Sequence, residues 1–252
     1  LIPKSHPRAK SLLIRENLVS GFDNGLVAKE GLLAHGRGEA FDYLLGEKTG
    51  LAAKKAIRAA AAQLILAHKP VISINGNVVS LCPKEIVRLA KASNAKIEVN
   101  LFYSNEARKR RIVNTLKKYG AKEILGTKKS SSKILSGTDS ARRRVDKDGI
   151  FSADVVLVPL EDGDRTKALR KAGKKVITFD LNPLSRTAQT ANITIVDNIV
   201  RSIEMLIEQC EKLSKKNSNI LEKTLRGFNN KKNLADSILQ IKNNLSRGAK
   251  IA

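Results

Sequence analysis

Apolar residues recur along this chain with two periods, and the alternation between them sketches the fold. Residues 5–20 read as a helix in which Ser11, Leu12, Leu13 and Leu18 are interspersed with charges. Glycine-containing breaks are expected at Gly21–Gly25 and again at His35-Gly36-Arg37-Gly38-Glu39. Ala52–Ala67 is the clearest helix: apolar residues at 53, 56, 57, 60, 61 and 64 share one 3.6-residue face, and alanine has the highest helix propensity.

Beyond residue 70 short β-rich runs alternate with helical stretches. Val71–Ile74 reads as a strand, and Pro83 suits the first turn of the helix that follows, with Ile86, Val87 and Ala90 on its face. Lys96–Leu101 is a strand; Ser104 is the expected cap of a helix whose face is Ile112, Leu116 and Tyr119; Ile124–Leu125 is a weak strand. Residues 126–149 are rich in Ser, Lys, Arg and Gly and read as a solvated surface loop, or alternatively as a mobile basic lid over an anionic ligand. The continuous run Asp154–Val158 predicts a strand buried on both faces, Lys167–Ala172 a short helix, Lys175–Phe179 and Ile193–Val196 two more strands. Ile199, Ile203, Leu206, Cys210 and Leu213 line one long helix, and two amphipathic helices follow from 215, broken at Gly227-Phe-Asn-Asn and expected to pack on the core or on a second subunit. This order predicts an α/β fold with a mostly parallel sheet flanked by helices. The expectation is one domain over 1–252: an N-terminal helical part at 1–70, a core at 71–214 and a helical tail at 215–252.

Charge changes this picture. The chain of 252 residues carries 47 Lys plus Arg against 24 Asp plus Glu, a net charge of +23, which favours anionic partners. A nucleic-acid-binding protein is therefore an alternative reading, weakened by an aromatic content of 4% with no Trp to stack bases. No apolar run approaches the roughly 18 residues that cross a bilayer, and the first residues lack the pattern of a secretory signal, so a soluble, cytoplasmic protein without a membrane partner is expected. Two distant cysteines and three His residues without metal spacing argue against zinc. Gly36-Arg-Gly-Glu-Ala-Phe41 lacks the third glycine of the dinucleotide fingerprint, which argues against NAD.

In a parallel sheet, ligands bind beyond the carboxyl ends of the strands. Four strand ends here are followed by Asn75-Gly76-Asn77, by Glu161-Asp162-Gly163-Asp164-Arg165, by Asp180-Leu181-Asn182-Pro-Leu-Ser-Arg186-Thr187 and by Asp197-Asn198. Each alone is an ordinary turn or cap sequence; together they predict a site. Arg186 and Thr187 suit a polyphosphate, because arginine forks onto phosphate oxygens. Asp180 and Asn182 can read ribose hydroxyls or a base edge. Asp197 either helps to open an anion-facing helix or is simply its N-cap. Glu161, Asp162 and Asp164 can hold Mg²⁺ or form an acidic surface turn.

Several strings go further: Ile2-Pro-Lys-Ser-His-Pro-Arg8, Ala34-His-Gly-Arg-Gly-Glu-Ala-Phe-Asp-Tyr43, Val71-Ile-Ser-Ile-Asn-Gly-Asn-Val78, Val158-Pro-Leu-Glu-Asp-Gly-Asp-Arg-Thr166, Asp180–Thr187 and Thr194-Ile-Val-Asp-Asn198. In order and over about residues 2–205, they resemble the archaeal phosphopantothenate synthetase (4-phosphopantoate–β-alanine ligase) family. The resemblance implies a Rossmann-like homodimer in coenzyme A biosynthesis. Its substrates would be ATP, 4-phosphopantoate and β-alanine; its products would be AMP, pyrophosphate and 4'-phosphopantothenate, by way of an acyl-adenylate. It implies ATP contacts from Arg15, Arg37, Asp180, Leu181, Asn182, Arg186, Thr187, Asp197 and Asn198. Lys4, His6, Arg8, His35, Glu39, Asn75, Asn77, Glu161, Asp162 and Asp164 are the further candidates for substrate binding or catalysis. Mg²⁺ is expected with ATP rather than at a fixed protein site, with Glu161 or Asp162 as the groups that could steady it. A kinase on the same fold would release ADP instead of AMP.

Overall fold

Burial of both faces builds the sheet. In the computed structural model, which describes residues 3, 5–6, 8–137 and 140–251, β1 (Pro70–Ile74), β2 (Lys96–Val99), β5 (Val155–Leu157), β6 (Lys175–Phe179) and β7 (Ile193–Ile195) form one parallel sheet in the order β2-β1-β5-β6-β7. The register aligns Ile97, Ile72, Leu157, Ile177 and Ile193 in one apolar row across all five strands. This row faces a helical layer, while Val71, Val156 and Val176 point to the opposite face and a second cluster. Burial of β-branched residues on both faces is the signature of a parallel sheet under two covering layers.

The first layer contains α3 (Leu51–Leu66), α5 (Pro83–Ala92), with Pro83 in its first turn as expected, and α9 (Ile199–Leu213). The alanines of α3 are buried nearly all round, at 52, 53, 56, 59, 60, 61 and 62. Small side chains let α9 and β7 approach it, together with the tail helices α10 (Ser218–Arg226) and α11 (Asn230–Gly248). The tail packs on this chain's own core: Gln240 Nε2 and Asn244 Nδ2 donate to the carbonyls of Leu45 and Leu44, 2.8 and 2.9 Å, and so cap the C-terminal end of α2 (Lys29–Leu45).

Several local expectations are corrected. The first helix, α1, runs Ala9–Asp23, with Gly21 buried inside it and Gly25 beyond its end at φ +66°. The stretch His35–Glu39 is no break but the middle of α2, which ends at Gly46 in the left-handed region (φ 87°). Its glycines make room for neighbours: a Cβ on Gly31 would lie 2.3 Å from Asn77 Oδ1, and one on Gly38 would just touch Leu181. After the short α4 (Gly76–Leu81) and β2, helix α6 (Glu106–Lys118) is capped by Asn105, not Ser104, and Tyr119 is exposed. Leu125 makes only a single parallel bridge, to Glu98.

The largest correction concerns residues 126–149. They contain an antiparallel hairpin, β3 (Ser132–Ile134) and β4 (Arg144–Asp146), docked on the second face of the sheet through Leu135, Val145 and Ile150. Alternation in so short and basic a hairpin is too weak to read from sequence. Beside it, α7 starts at Gly163, four residues before the expected helix, and ends at Lys171. A five-residue helix, α8 (Arg186–Thr190), precedes β7.

Candidate active site

The chain runs from β1 outward to β2 and then crosses back to β5, so the strand order reverses between β1 and β5. At such a switch point the loops beyond the strand ends diverge and leave a crevice. Here an open cleft of ≈ 740 Å³ lies beyond the carboxyl ends of β1, β5 and β6, with α2 as its wall on the N-terminal side. Asn75 ties the two sides of the switch point together, donating from Nδ2 to the Leu160 carbonyl at 3.1 Å while its Oδ1 caps α4 at Val78 N. Asn77 holds α2 by donating to the Gly31 carbonyl at 2.8 Å.

Three helices, α4, α7 and α8, start at this rim. Asp162 caps α7 through Oδ1, which accepts from Arg165 N at 2.9 Å, and Ser185 caps α8. Thr187 Oγ1 donates to the Glu161 carbonyl at 2.9 Å, joining the two loops. Gly163 permits this: a Cβ there would come within 2.6 Å of Arg186 Cβ. Asp180 accepts from Asn182 N at 2.9 Å and from the Ser185 hydroxyl, so it shapes its own loop. Burial raises its carboxyl above the ordinary value, against the opposing pull of Ser185, Asn182 N–H and the positive charge of Arg37.

The cleft is rich in charge of both signs. Arg37, Arg108, Arg142 and Arg186 line it, as do Glu30, Glu161, Asp162 and Asp180. Arg142 comes from the basic segment. It pairs with Glu161 and with Asp162 (2.7 Å) and lies over the Phe102 ring at 5.7 Å. Arg186 is exposed and pairs with Asp164 at 3.2 Å. His35 also lines the cleft; burial lowers its pKa, Glu39 opposes that and Arg15 adds to it, leaving the imidazole below its ordinary value.

The sequence-predicted residues thus fall into three groups. His35, Arg37, Asn75, Asn77, Glu161, Asp162, Asp180, Leu181, Asn182, Arg186 and Thr187 share the cleft, with Asp164 paired to one of them. Arg15 instead donates its Nε–H to both carboxylate oxygens of Glu39 (2.9 and 3.0 Å), pairing α1 with α2, joined by Tyr43 and Arg8. Burial pushes the Glu39 carboxyl up, but hydrogen bonds from Arg15 and Tyr43 carry it below the ordinary value. His6 Nδ1 accepts from Arg8 N at 3.0 Å near this cluster, and Lys4 lies outside the described residues. The third group is buried behind the sheet edge. Asn198, not Asp197, caps α9; it also donates to Asp42, while Asp197 takes Thr49 Oγ1 (2.6 Å) and Arg201.

The family model for phosphopantothenate/pantothenate synthetases matches residues 52–244, which spans the sheet, the cleft loops and most of the tail. The chain belongs to this family. It is 53% identical over 247 residues to the 4-phosphopantoate–β-alanine ligase of Thermococcus kodakarensis, covering 98% of this chain and 94% of that protein. The ligase of Thermococcus onnurineus is 51% identical with the same coverage. That of Methanosarcina mazei is 47% identical over 244 residues, covering 97% and 95%. Family membership therefore extends over the hairpin and the tail, where the sequence motifs are loosest. Sequence reasoning missed Arg108, Arg142, Phe102 and Tyr103 on the cleft wall. Arg142 sits in the run Arg142-Arg143-Arg144, and nothing in such a run marks which guanidinium is buried.

Proposed function

We propose that this protein is an ATP-dependent ligase that condenses 4-phosphopantoate with β-alanine to give 4'-phosphopantothenate, AMP and pyrophosphate in coenzyme A biosynthesis. The single observation that carries the reading is a family match running through the cleft at the β1/β5 switch point, where four guanidiniums and three helix starts converge.

A carboxylate is a poor acyl donor. In the proposed first step a carboxylate oxygen of 4-phosphopantoate attacks the α-phosphorus of ATP, the bond to the bridging oxygen breaks and pyrophosphate leaves. In the second, the β-alanine nitrogen attacks the acyl carbon, AMP departs and the amine loses a proton. Both anionic substrates need fixed donors, since preorganised cations stabilise charge at the transferred phosphorus without reorganisation. Arg37, Arg186, Thr187 and the Asp180-Leu181-Asn182 turn are assigned to the nucleotide. His35, whose pKa burial lowers, is assigned to take the amine proton. Holding both reactants in one cleft supplies much of the remaining acceleration. Arg15, Asp197 and Asn198 lie off the cleft lining and are assigned a supporting role around α2 and α9.

Mg²⁺ is proposed to enter with the triphosphate. Glu161 and Asp162 do not fit a protein-held metal: both carboxylates are engaged by Arg142, and Asp162 also caps α7. Among the described residues no group of three or more His, Cys, Asp or Glu side chains can hold a metal. The same reading takes the protein as a cytoplasmic homodimer. No helix among the described residues is long and apolar enough to cross a membrane.

The test is product identification. Incubation with ATP, Mg²⁺, β-alanine and 4-phosphopantoate should release AMP and 4'-phosphopantothenate, each dependent on all substrates. Formation of ADP would move the assignment to a kinase, and absence of turnover would overturn it.

A further inference from the structure

The hairpin is fixed to the cleft by buried charge that the proposed reaction does not explain. Arg165, on α7, is fully buried and donates from Nη1 to the backbone carbonyl of Arg142. Its Nε lies 3.9 Å from Glu161 Oε2. Glu98, at 0% exposure, accepts from Asp146 N (3.0 Å) and Ile150 N (2.6 Å) at the end of the hairpin. Asn100 Nδ2 donates to the carbonyls of Arg142 and Arg144 at 3.4 and 2.9 Å. The backbone at Arg142 is therefore held from both α7 and the end of β2, and its side chain is clamped by Glu161 and Asp162.

This is a costly arrangement for a surface hairpin. Burying charge and polar donors is unfavourable unless partners compensate. Compensation is also incomplete: among the described residues, the buried Nε atoms of Arg142 and Arg108 have no hydrogen-bond acceptor. Both residues line the same wall of the cleft, and Arg142 is only 7% exposed. Arg108 is itself anchored, donating from Nη1 to the Tyr103 carbonyl at 2.7 Å. Two anchored guanidiniums on one wall of the cleft suit an oxyanion, since planar guanidinium forks match phosphate geometry.

We infer that Arg142 and Arg108 form a second anion subsite at the β2 side of the cleft, which takes the phosphate ester of the non-nucleotide substrate, and that Arg165 is the positioning residue that keeps Arg142 there. The assignment of the ligand rests on the functional reading above, which places ATP at the opposite, β6 side, with Arg37 and Arg186. Two polyanions in one cleft need two sets of donors, and the hairpin supplies the second.

The test compares Arg142→Ala, Arg142→Lys and Arg165→Lys with wild type in the full-length protein. Arg142→Ala should raise the KM for 4-phosphopantoate by about tenfold or more, the scale of losing one charge-assisted contact, and leave the KM for ATP within about twofold. Arg142→Lys should recover part of that loss. Arg165→Lys, which keeps the charge but loses the fork, should shift the same KM in the same direction more mildly. A merely structural role for Arg165 would lower melting temperature and kcat without separating the two KM values. The inference is overturned if the ATP KM rises instead, or if neither KM moves. Inorganic phosphate is the independent probe: its binding by calorimetry should weaken in Arg142→Ala whether or not turnover is seen. Loss of turnover by wild type would refute the ligase reading, whereas equal phosphate binding by wild type and Arg142→Ala would refute the subsite.

Discussion

Gly76, at the start of α4, packs directly against the backbone between α1 and α2, and replacing it with alanine tests that account of the cleft. A Cβ at Gly76 would lie 2.0 Å from the carbonyl oxygen of Leu26 and 2.9 Å from its carbon. That is about 1.5 Å short of van der Waals contact. The obstacle is backbone, and the Leu26 and Val27 amides are tied to the Gly21 carbonyl at 2.7 and 3.1 Å, so the loop cannot yield cheaply. Overpacking of this kind costs about 1–3 kcal/mol, and the lower entropy of the unfolded alanine chain returns only about 0.4–1 kcal/mol. For a chain of this size each kcal/mol is worth about 2–4 °C, so Gly76→Ala should lower Tm by several degrees. It should also raise KM, because Asn75 and Asn77 flank the site of the shift. Gly36→Ala is the matched control. Gly36 lies inside α2, and a Cβ added there would meet nothing within 4 Å. The change should stabilise by roughly 0.5–1 kcal/mol through helix propensity. Differential scanning calorimetry of both variants decides. Unchanged Tm in Gly76→Ala, or a lower Tm in Gly36→Ala, would refute the reasoning.

Four further outcomes are expected. Arg37→Ala should cut kcat/KM by about 10²–10³-fold, the scale for one preorganised donor, with little change in Tm; steady-state kinetics with near-normal values would remove Arg37 from the site. Arg201→Ala would strand the buried carboxylates of Asp42 and Asp197, paired to Arg201 at 2.7 and 2.5 Å, and should cost about 3–5 kcal/mol in urea unfolding. Burial pushes the Glu98 carboxyl up to about 7 from an ordinary 4.5. Between those values the folded protein keeps a proton that the unfolded chain has lost, so this group's contribution to stability falls as pH rises from about 4.5 to 7, by about 3 kcal/mol in all. Glu98→Gln removes that dependence, and urea midpoints at pH 5 and 8 should differ less than in wild type. Burial raises the Cys82 and Cys210 thiols, the latter to about 12, so a thiol reagent should label neither until the protein unfolds.

The order of strands and helices was legible because it depends on strong periodicity. The apolar run at 155–158 and the stripe from Ile199 to Leu213 leave few alternatives. Local chemistry was less legible where tertiary packing overrides propensity. The glycines around Arg37 suggest a break, yet α2 passes through them; a Cβ on Gly36 would meet nothing and one on Gly38 would only touch Leu181, so the helix is set by packing elsewhere along it, as at Gly31 against Asn77. The hairpin was hidden for a different reason: its strands have three residues each, and its anchors, Glu98, Asn100 and Arg165, come from distant elements. A sequence window around residue 142 contains none of them.

A polar residue after a strand has two possible uses, and here they separate by side-chain type. Asn75, Asp162, Asp180 and Asn198 each spend one side-chain oxygen on a backbone amide two or three residues ahead. These groups build the loops, as turn chemistry requires. The guanidiniums line the cleft instead, and four of them there would repel one another without the carboxylates set among them, two of which clamp Arg142. The near balance of charge on the wall explains why the +23 of the whole chain and the chemistry of the cleft are different matters. The long-range field is screened beyond about 8 Å at physiological salt and acts on encounter with any anion. Discrimination between two anions belongs to fixed donors at short range, which is why the subsite proposed at the anchored Arg142, and not the many exposed lysines, is where substrate choice is to be tested.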